Sequence, residues 1–128
     1  MMTDVKRDPN SFLPLTPAMF HILLALVDDD RHGYGIMQEV KARTDGRVQL
    51  RPGTLYGAIK RMLANGVIVE TDEKVDPDLS DERRRYYRLT DFGQRVVRAE
   101  SERLARLVNQ ARAKQLLSEP KPGPAAGG

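Results

Sequence analysis

Cysteine and tryptophan are absent from the 128 residues, histidine occurs twice, and a few phenylalanines and tyrosines supply all the aromatic rings. Without thiols there can be no disulfides, no thiolate zinc sites and no cysteine nucleophile. His21 and His32 do not stand at a metal-ligand spacing, so neither a metal nor a cofactor is expected. Long apolar runs are missing too. The longest, residues 22–27, falls far short of the roughly 20 residues of a membrane helix, and the opening residues lack the pattern of a secretory signal. The expectation is a cytoplasmic protein without membrane contact. No glycine-rich phosphate loop and no nucleophile-plus-base motif is found, which argues against an enzyme.

What is present is an ordinary balance of 40% hydrophobic and 30% charged residues, enough for one folded domain with a real core. The net charge of +3 is mild, but its distribution is uneven. Residues 47–69 contain Arg47, Arg51, Lys60 and Arg61 and no acid, and Arg83, Arg84, Arg85 and Arg88 form a second basic cluster. The acids gather at Asp28, Asp29 and Asp30 and between Glu70 and Glu82. Such a separation builds one positive face, the usual footprint of a surface that binds a polyanion.

Residues 1–14 carry no sustained period and read as a flexible arm, and residues 118–128 read as a disordered Pro/Gly/Ala tail. Between them, Thr16-Pro17 offers a hydroxyl cap and a first-turn proline to a helix with Met19, Phe20, Ile22, Leu23, Leu26 and Val27 at helical spacing. The three aspartates end it. After Gly33, the residues Tyr34, Ile36, Met37 and Val40 predict a second helix to about Arg43. Val48 and Leu50 alternate with polar neighbours and predict a very short strand over 47–50.

Pro52-Gly53-Thr54 opens a third helix, whose inward stripe is Leu55, Ile59, Met62 and Leu63 and which stops at Asn65-Gly66. Residues 67–71 and 84–89 read as two strands joined by a polar, turn-forming stretch. Thr90 then caps a long helix over 91–117 with Phe92, Val96, Val97, Leu104, Leu107, Val108 and Ala111 at spacings of three and four. Three helices, a hairpin and a long helix make a mainly α winged helix-turn-helix with a small β-hairpin, covering residues 15–90, and an added C-terminal helix. In that arrangement the third helix can enter a major groove while the hairpin reaches the flanking backbone.

Five motifs, in order, carry a resemblance: Leu15-Thr16-Pro17, His32-Gly33-Tyr34-Gly35-Ile36, Pro52-Gly53-Thr54-Leu55-Tyr56, Asn65-Gly66-Val67-Ile68 and Arg85-Tyr86-Tyr87-Arg88-Leu89-Thr90. Together they make the chain similar to the PadR family of transcriptional regulators, in its shorter subclass with a single C-terminal dimerisation helix. The resemblance implies a homodimeric repressor of palindromic DNA operators, released by a small-molecule effector or a stress signal. One departure is the acidic hairpin loop, with Asp72, Glu73, Asp76, Asp78, Asp81 and Glu82, which phosphates would repel. Wing contacts to DNA are therefore expected from the returning strand, residues 83–88. With no tryptophan, any effector pocket at a dimer interface must use other side chains.

The expected DNA-contacting residues are Tyr34, Arg51, Thr54, Tyr56, Gly57, Lys60, Arg61, Arg83, Arg84 and Arg88. Thr54, Gly57, Lys60 and Arg61 point away from the inward stripe of the third helix, and Gly57 lets that helix approach DNA closely. The plainer reading makes Lys60 and Arg61 a solvated face. Tyr56 either stacks into the domain or gives its hydroxyl to a phosphate. The resemblance suggests that the Tyr34 hydroxyl meets the duplex backbone, with half-buried packing as the alternative. His32 is read as a cap or packing residue near its turn. Tyr87 and Leu89 face the core, leaving Arg84 and Arg88 either for phosphates or for carboxylates in the same hairpin.

The terminal helix would be on the order of 40 Å long and outreach its own domain. Its stripe Val97, Leu104, Leu107, Val108 and Ala111 is the expected dimer interface, presenting two third helices to half-sites about 34 Å apart. The alternative folds that helix back on its own domain. The rival functional class is a winged-helix protein-interaction module without specific DNA binding, separable by duplex binding and its salt dependence. RNA suits the few aromatics and the groove-sized helix less well.

Overall fold

The computed structural model describes residues 7–71 and 85–118. The elements are a 3-10 turn at Pro9–Phe12, then α1 (Pro17–Val27), β1 (Arg31–His32), α2 (Gly33–Arg43), α3 (Pro52–Ala64), β2 (Ile68–Thr71), β3 (Tyr86–Leu89) and α4 (Asp91–Ala113). This is the mainly helical winged fold with a long C-terminal helix that the residue pattern predicts. The caps are those expected: Thr16 Oγ1 accepts the Met19 N–H at 3.1 Å, and Thr90 Oγ1 accepts the Gly93 N–H at 2.9 Å. Gly66, at φ +73°, turns the chain out of α3, a conformation glycine adopts without strain.

The core is one cluster. Ile22, Leu23 and Leu26 of α1, Ile36 and Val40 of α2, and Leu55, Ile59 and Met62 of α3 meet Ile68, Tyr87 and Leu89 of the sheet and Phe92, Val96 and Val97 of α4. All but Ile68, which the pattern does not single out, and Val97, expected in a dimer contact, are predicted inward residues, and burial of the cluster is the main driving force for the fold.

Four expectations are corrected. Residues 47–50 form no strand; the Val48 N–H bonds the Thr44 hydroxyl at 3.0 Å, while Val48 and Leu50 pack on the core from an irregular segment. The third strand is instead β1, in the order β1-β3-β2, with Arg31 opposite Tyr87 and His32 opposite Tyr86. α4 ends at Ala113 and not at residue 117, and Gln115 follows at φ +64°.

The last correction concerns the arm. Residues 9–12, expected to be flexible, dock against α4: Phe12 meets Phe92 edge to face at 5.3 Å between centroids, and the Arg7 guanidinium lies over both rings at 4.9 and 4.3 Å. Periodicity misses this because one aromatic on a single turn makes no pattern.

Glu100 interrupts the apolar stripe of α4 yet is only 1% exposed. Its carboxylate accepts the Leu15 N–H at 2.9 Å and two Arg103 N–H groups at 2.6 and 3.0 Å. The Arg103 hydrogen bond holds the carboxyl below the usual range, against the opposing effect of burial, with the Leu15 N–H and the Arg103 charge assisting. A carboxyl lowered in the fold contributes stability that is present above its unfolded value and is lost as the pH falls through its folded value. Glu100→Gln is therefore expected to lower the midpoint of thermal unfolding near neutrality, and the gap from wild type should close on acidification below about pH 4. Melting curves of both proteins across pH check this; a gap that stays constant to pH 2 would count against an ionised Glu100.

Candidate nucleic-acid interface

The third helix presents two opposite faces. Leu55, Ala58, Ile59 and Met62 are buried, whereas Gly53, Thr54, Gly57, Lys60 and Arg61 lie together on the exposed arc, with Arg51 just ahead of them. Arg51 occupies the N-cap position and makes no side-chain capping bond there. The first-turn amides and the positive end of the helix dipole thus sit at the surface, beside a cationic side chain and without a carboxylate in the first turn.

The glycines divide by what surrounds them. A Cβ on Gly93 would collide with the Val67 carbonyl oxygen, so the fold itself needs that glycine, and one on Gly33 would push the end of the Tyr56 ring aside. A Cβ on Gly53 or Gly57 would meet nothing within 4 Å. Glycine inside a helix costs roughly 0.5–1 kcal/mol relative to alanine. For Gly57 no intramolecular contact offsets that cost.

Tyr56 is half-buried with its ring end against Gly33, which favours the packing reading over a phosphate contact. Tyr34 is 47% exposed at the start of α2. Its ring stacks near His32 at 6.4 Å, and it borders an open trough of about 740 Å³ that also meets Met37, Lys41 and Leu50. His32 caps α2, its Nδ1 accepting the Gly35 N–H at 2.8 Å, and lies edge-on to Tyr86 at 5.1 Å, the expected capping role. His21 lies beside Arg43, and burial followed by the Arg43 charge lowers its pKa.

At the root of the wing Arg88 is held by Asp30, whose carboxylate accepts from Nε at 3.0 Å and from Nη2 at 2.8 Å. One carboxylate partner of Arg88 thus comes from the turn after α1. The same turn is fastened by Arg31, which donates from Nε to the Ala25 carbonyl at 2.7 Å and pairs with Asp28 at 3.3 Å. Two arginines thereby neutralise carboxylates that would otherwise sit unfavourably at the negative end of α1. Arg83, Arg84 and the acidic loop lie outside the described residues. Arg85 pairs across the hairpin with Glu70 at 3.6 Å.

On α4 the proposed interface divides. Val97, expected in a dimer contact, is buried in its own domain at 4% exposure and belongs to the core. Beyond Glu100 the helix leaves the domain: Leu104 and Ala111 are half-buried, Leu107 is 47% exposed and Val108 is 38% exposed. Sequence reasoning missed the tie between Glu100 and Leu15; the only signal was a carboxylate inside an apolar stripe.

Comparison with known proteins agrees with this geometry. The family model described as the transcriptional regulator PadR-like family matches residues 22–99. The chain belongs to the PadR-like family. It is thus related to transcriptional regulators and not to enzymes. A solved transcriptional regulator from Clostridium thermocellum superposes with a TM-score of 0.62 at 28% identity, covering 76% of this chain and 87% of that one. A PadR family transcription regulator from Clostridium difficile gives a TM-score of 0.62 at 25% identity, covering 80% of this chain and 100% of that one.

Among curated relatives, an uncharacterised protein of Lysinibacillus sphaericus is 38% identical over 73 residues, which is 56% of this chain and 63% of that protein. An uncharacterised 37.1 kDa protein in transposon TN4556 of Streptomyces fradiae is 33% identical over 90 residues, 70% of this PadR-like chain and 24% of that protein. The matched region thus spans less than two thirds of either relative's length. No described helix is long and apolar enough to cross a membrane.

Proposed function

We propose that this PadR-like protein is a cytoplasmic, sequence-specific repressor that binds double-stranded DNA as a homodimer on a palindromic operator. Residues 15–90 form the DNA-binding domain, and the C-terminal helix forms the dimer. The carrying observation is the exposed arc of α3, where Thr54, Gly57, Lys60 and Arg61 follow Arg51 on the face opposite the core. An arc of this kind suits the major groove: the amides and Arg51 meet phosphates at the entering end, and Thr54, Lys60 and Arg61 reach base edges or the backbone. Tyr34 is the backbone contact of α2. Arg83 and Arg84 supply the wing, and Arg88 joins them by exchanging Asp30 for a phosphate. Tyr56 supports the start of α2 from within. Repression, and its relief by an effector or stress signal, follow the pattern that the family resemblance implies.

Fluorescence anisotropy with a labelled duplex from upstream of the protein's own gene, at several salt concentrations, tests this reading. Tight binding that weakens steeply with salt is expected. Affinity no better than for random duplex, even at low salt, for this and other regulatory regions would favour a protein-interaction module.

Gly57 supplies an independent check. Gly57→Ala should raise the stability of the free protein by about 0.5–1 kcal/mol, since the added methyl meets no neighbour and the helix gains propensity. Gly57→Val should fold as well but bind operator at least about tenfold more weakly, a loss of about 1.4 kcal/mol, because its branched side chain holds the helix off the bases. Parallel melts and titrations read both effects. Unchanged binding by the valine variant would remove Gly57 from the interface.

A further inference from the structure

The C-terminal helix changes character at one residue. Phe92, Gly93, Val96, Val97 and Glu100 are its buried positions, and Glu100 is the last of them. Residues 101–113 then run on as a projecting arm about 20 Å long. Two fastenings hold α4 on its way to that pivot, one at Glu100 itself and one at the start of the helix, and both come from the segment before α1. Leu15 gives its N–H to the Glu100 carboxylate at 2.9 Å. Phe12 lies edge-on against Phe92 at 5.3 Å, with the Arg7 guanidinium over both rings. The 3-10 turn between is itself closed by Asp8, which accepts the Asn10 N–H at 2.9 Å.

Apolar contact alone would let a helix slide or tilt at little cost, whereas a carboxylate shared between a fixed backbone N–H and the Arg103 fork is directional. Arg103 stands one turn further along α4, so the same carboxylate joins the N-terminal segment to the first turn of the projecting arm.

We propose that residues 7–15 are a strap that fixes the direction in which α4 leaves the domain, with Glu100 as its anchor and Phe12 as its pad, and that it thereby sets the separation of the two α3 helices in the dimer. This rests on the homodimer reading above. The lever makes the effect large: a tilt of about 10° at the pivot displaces the end of a 20 Å arm by about 3–4 Å, close to one base-pair step. Glu100 is on this account a positioning residue for operator spacing and touches no DNA.

The absence of cysteine gives a clean test. Ala64→Cys, on the exposed last residue of α3, places one spin label per protomer, and the label-to-label distance in the full-length dimer reports the separation of the two α3 helices. The labelled parent should give one narrow distance distribution. Glu100→Gln and, separately, Phe12→Ala should broaden it at least twofold. Both should also flatten the preference for one spacer length between selected half-sites, from tenfold or more per base pair to under threefold, with single half-site binding and circular dichroism retained.

Phe12→Ala guards the test against misfolding of the Glu100 variant, since its ring lies at the periphery. Distributions and spacer profiles that match the parent in both variants overturn the strap. No label-to-label distance in the parent itself overturns the homodimer reading on which the strap depends.

Discussion

Lys60→Ala combined with Arg61→Ala is expected to cost the protein its operator while leaving its fold intact. Both side chains are exposed on the arc of α3 opposite its buried face, and alanine is a better helix former than either. The midpoint of thermal unfolding should stay close to wild type. Each dimer loses four cations from its DNA footprint. At a modest 1 kcal/mol for each, the loss is about 4 kcal/mol, or roughly a thousandfold in affinity. Where the lost cations neutralised phosphates, the slope of log affinity against log salt should also become shallower by up to about 3–4. Anisotropy titrations at four or more salt concentrations give both quantities. Loss of affinity with an unchanged slope would mean that Lys60 and Arg61 read bases and leave the phosphates to Arg51 and the wing.

The second large effect belongs to the arm. Leu107 and Val108 are large apolar side chains left substantially exposed on a helix whose other face is polar, with Leu104 and Ala111 on the same stripe. Burying such a side chain contributes about 1.5–3 kcal/mol, and a two-fold interface counts each residue twice. Leu107→Asp with Val108→Asp should therefore weaken dimerisation by at least about 4 kcal/mol, close to a thousandfold. Sedimentation velocity at micromolar concentration should then show a monomer with wild-type near-ultraviolet circular dichroism, because neither residue belongs to the core of its own domain. Operator affinity should fall with it, since one half-site alone holds a single domain. A variant that still sediments as a dimer would place the interface elsewhere.

How far the sequence alone carried depends on the length of the signal. α1, α3 and α4 were legible because each spans three or more turns, begins at a capping threonine or, in α3, a first-turn proline, and repeats its apolar residues over a whole face. Arg31 and His32 were not, because two residues define no period and become a strand only through Tyr86 and Tyr87, more than fifty positions away. The alternation at Val48 and Leu50 was real as a statement of which side chains turn inward. It was silent on whether a neighbouring strand exists to pair with, and among the described residues none does.

The arc on α3 was readable in the same way, from Leu55, Ile59 and Met62 opposite Gly57, Lys60 and Arg61. The contacts that commit Arg88 to Asp30 and Tyr56 to Gly33 are tertiary, and no local pattern encodes them. Val97 illustrates the limit at the level of one residue. It shares the helical stripe of Leu104 and Val108, but the domain ends between them, and a stripe does not mark where a protein's own core stops.

The most direct test of the central claim is to let the wild-type protein choose its DNA, by selecting bound duplexes from a random pool and sequencing them. The account predicts an enriched motif of two inverted half-sites whose centres lie about 10 base pairs, or a multiple of one helical turn, apart. A bound pool with no enriched motif, or with one unpaired half-site recovered from a protein that is dimeric in the same buffer, would contradict it.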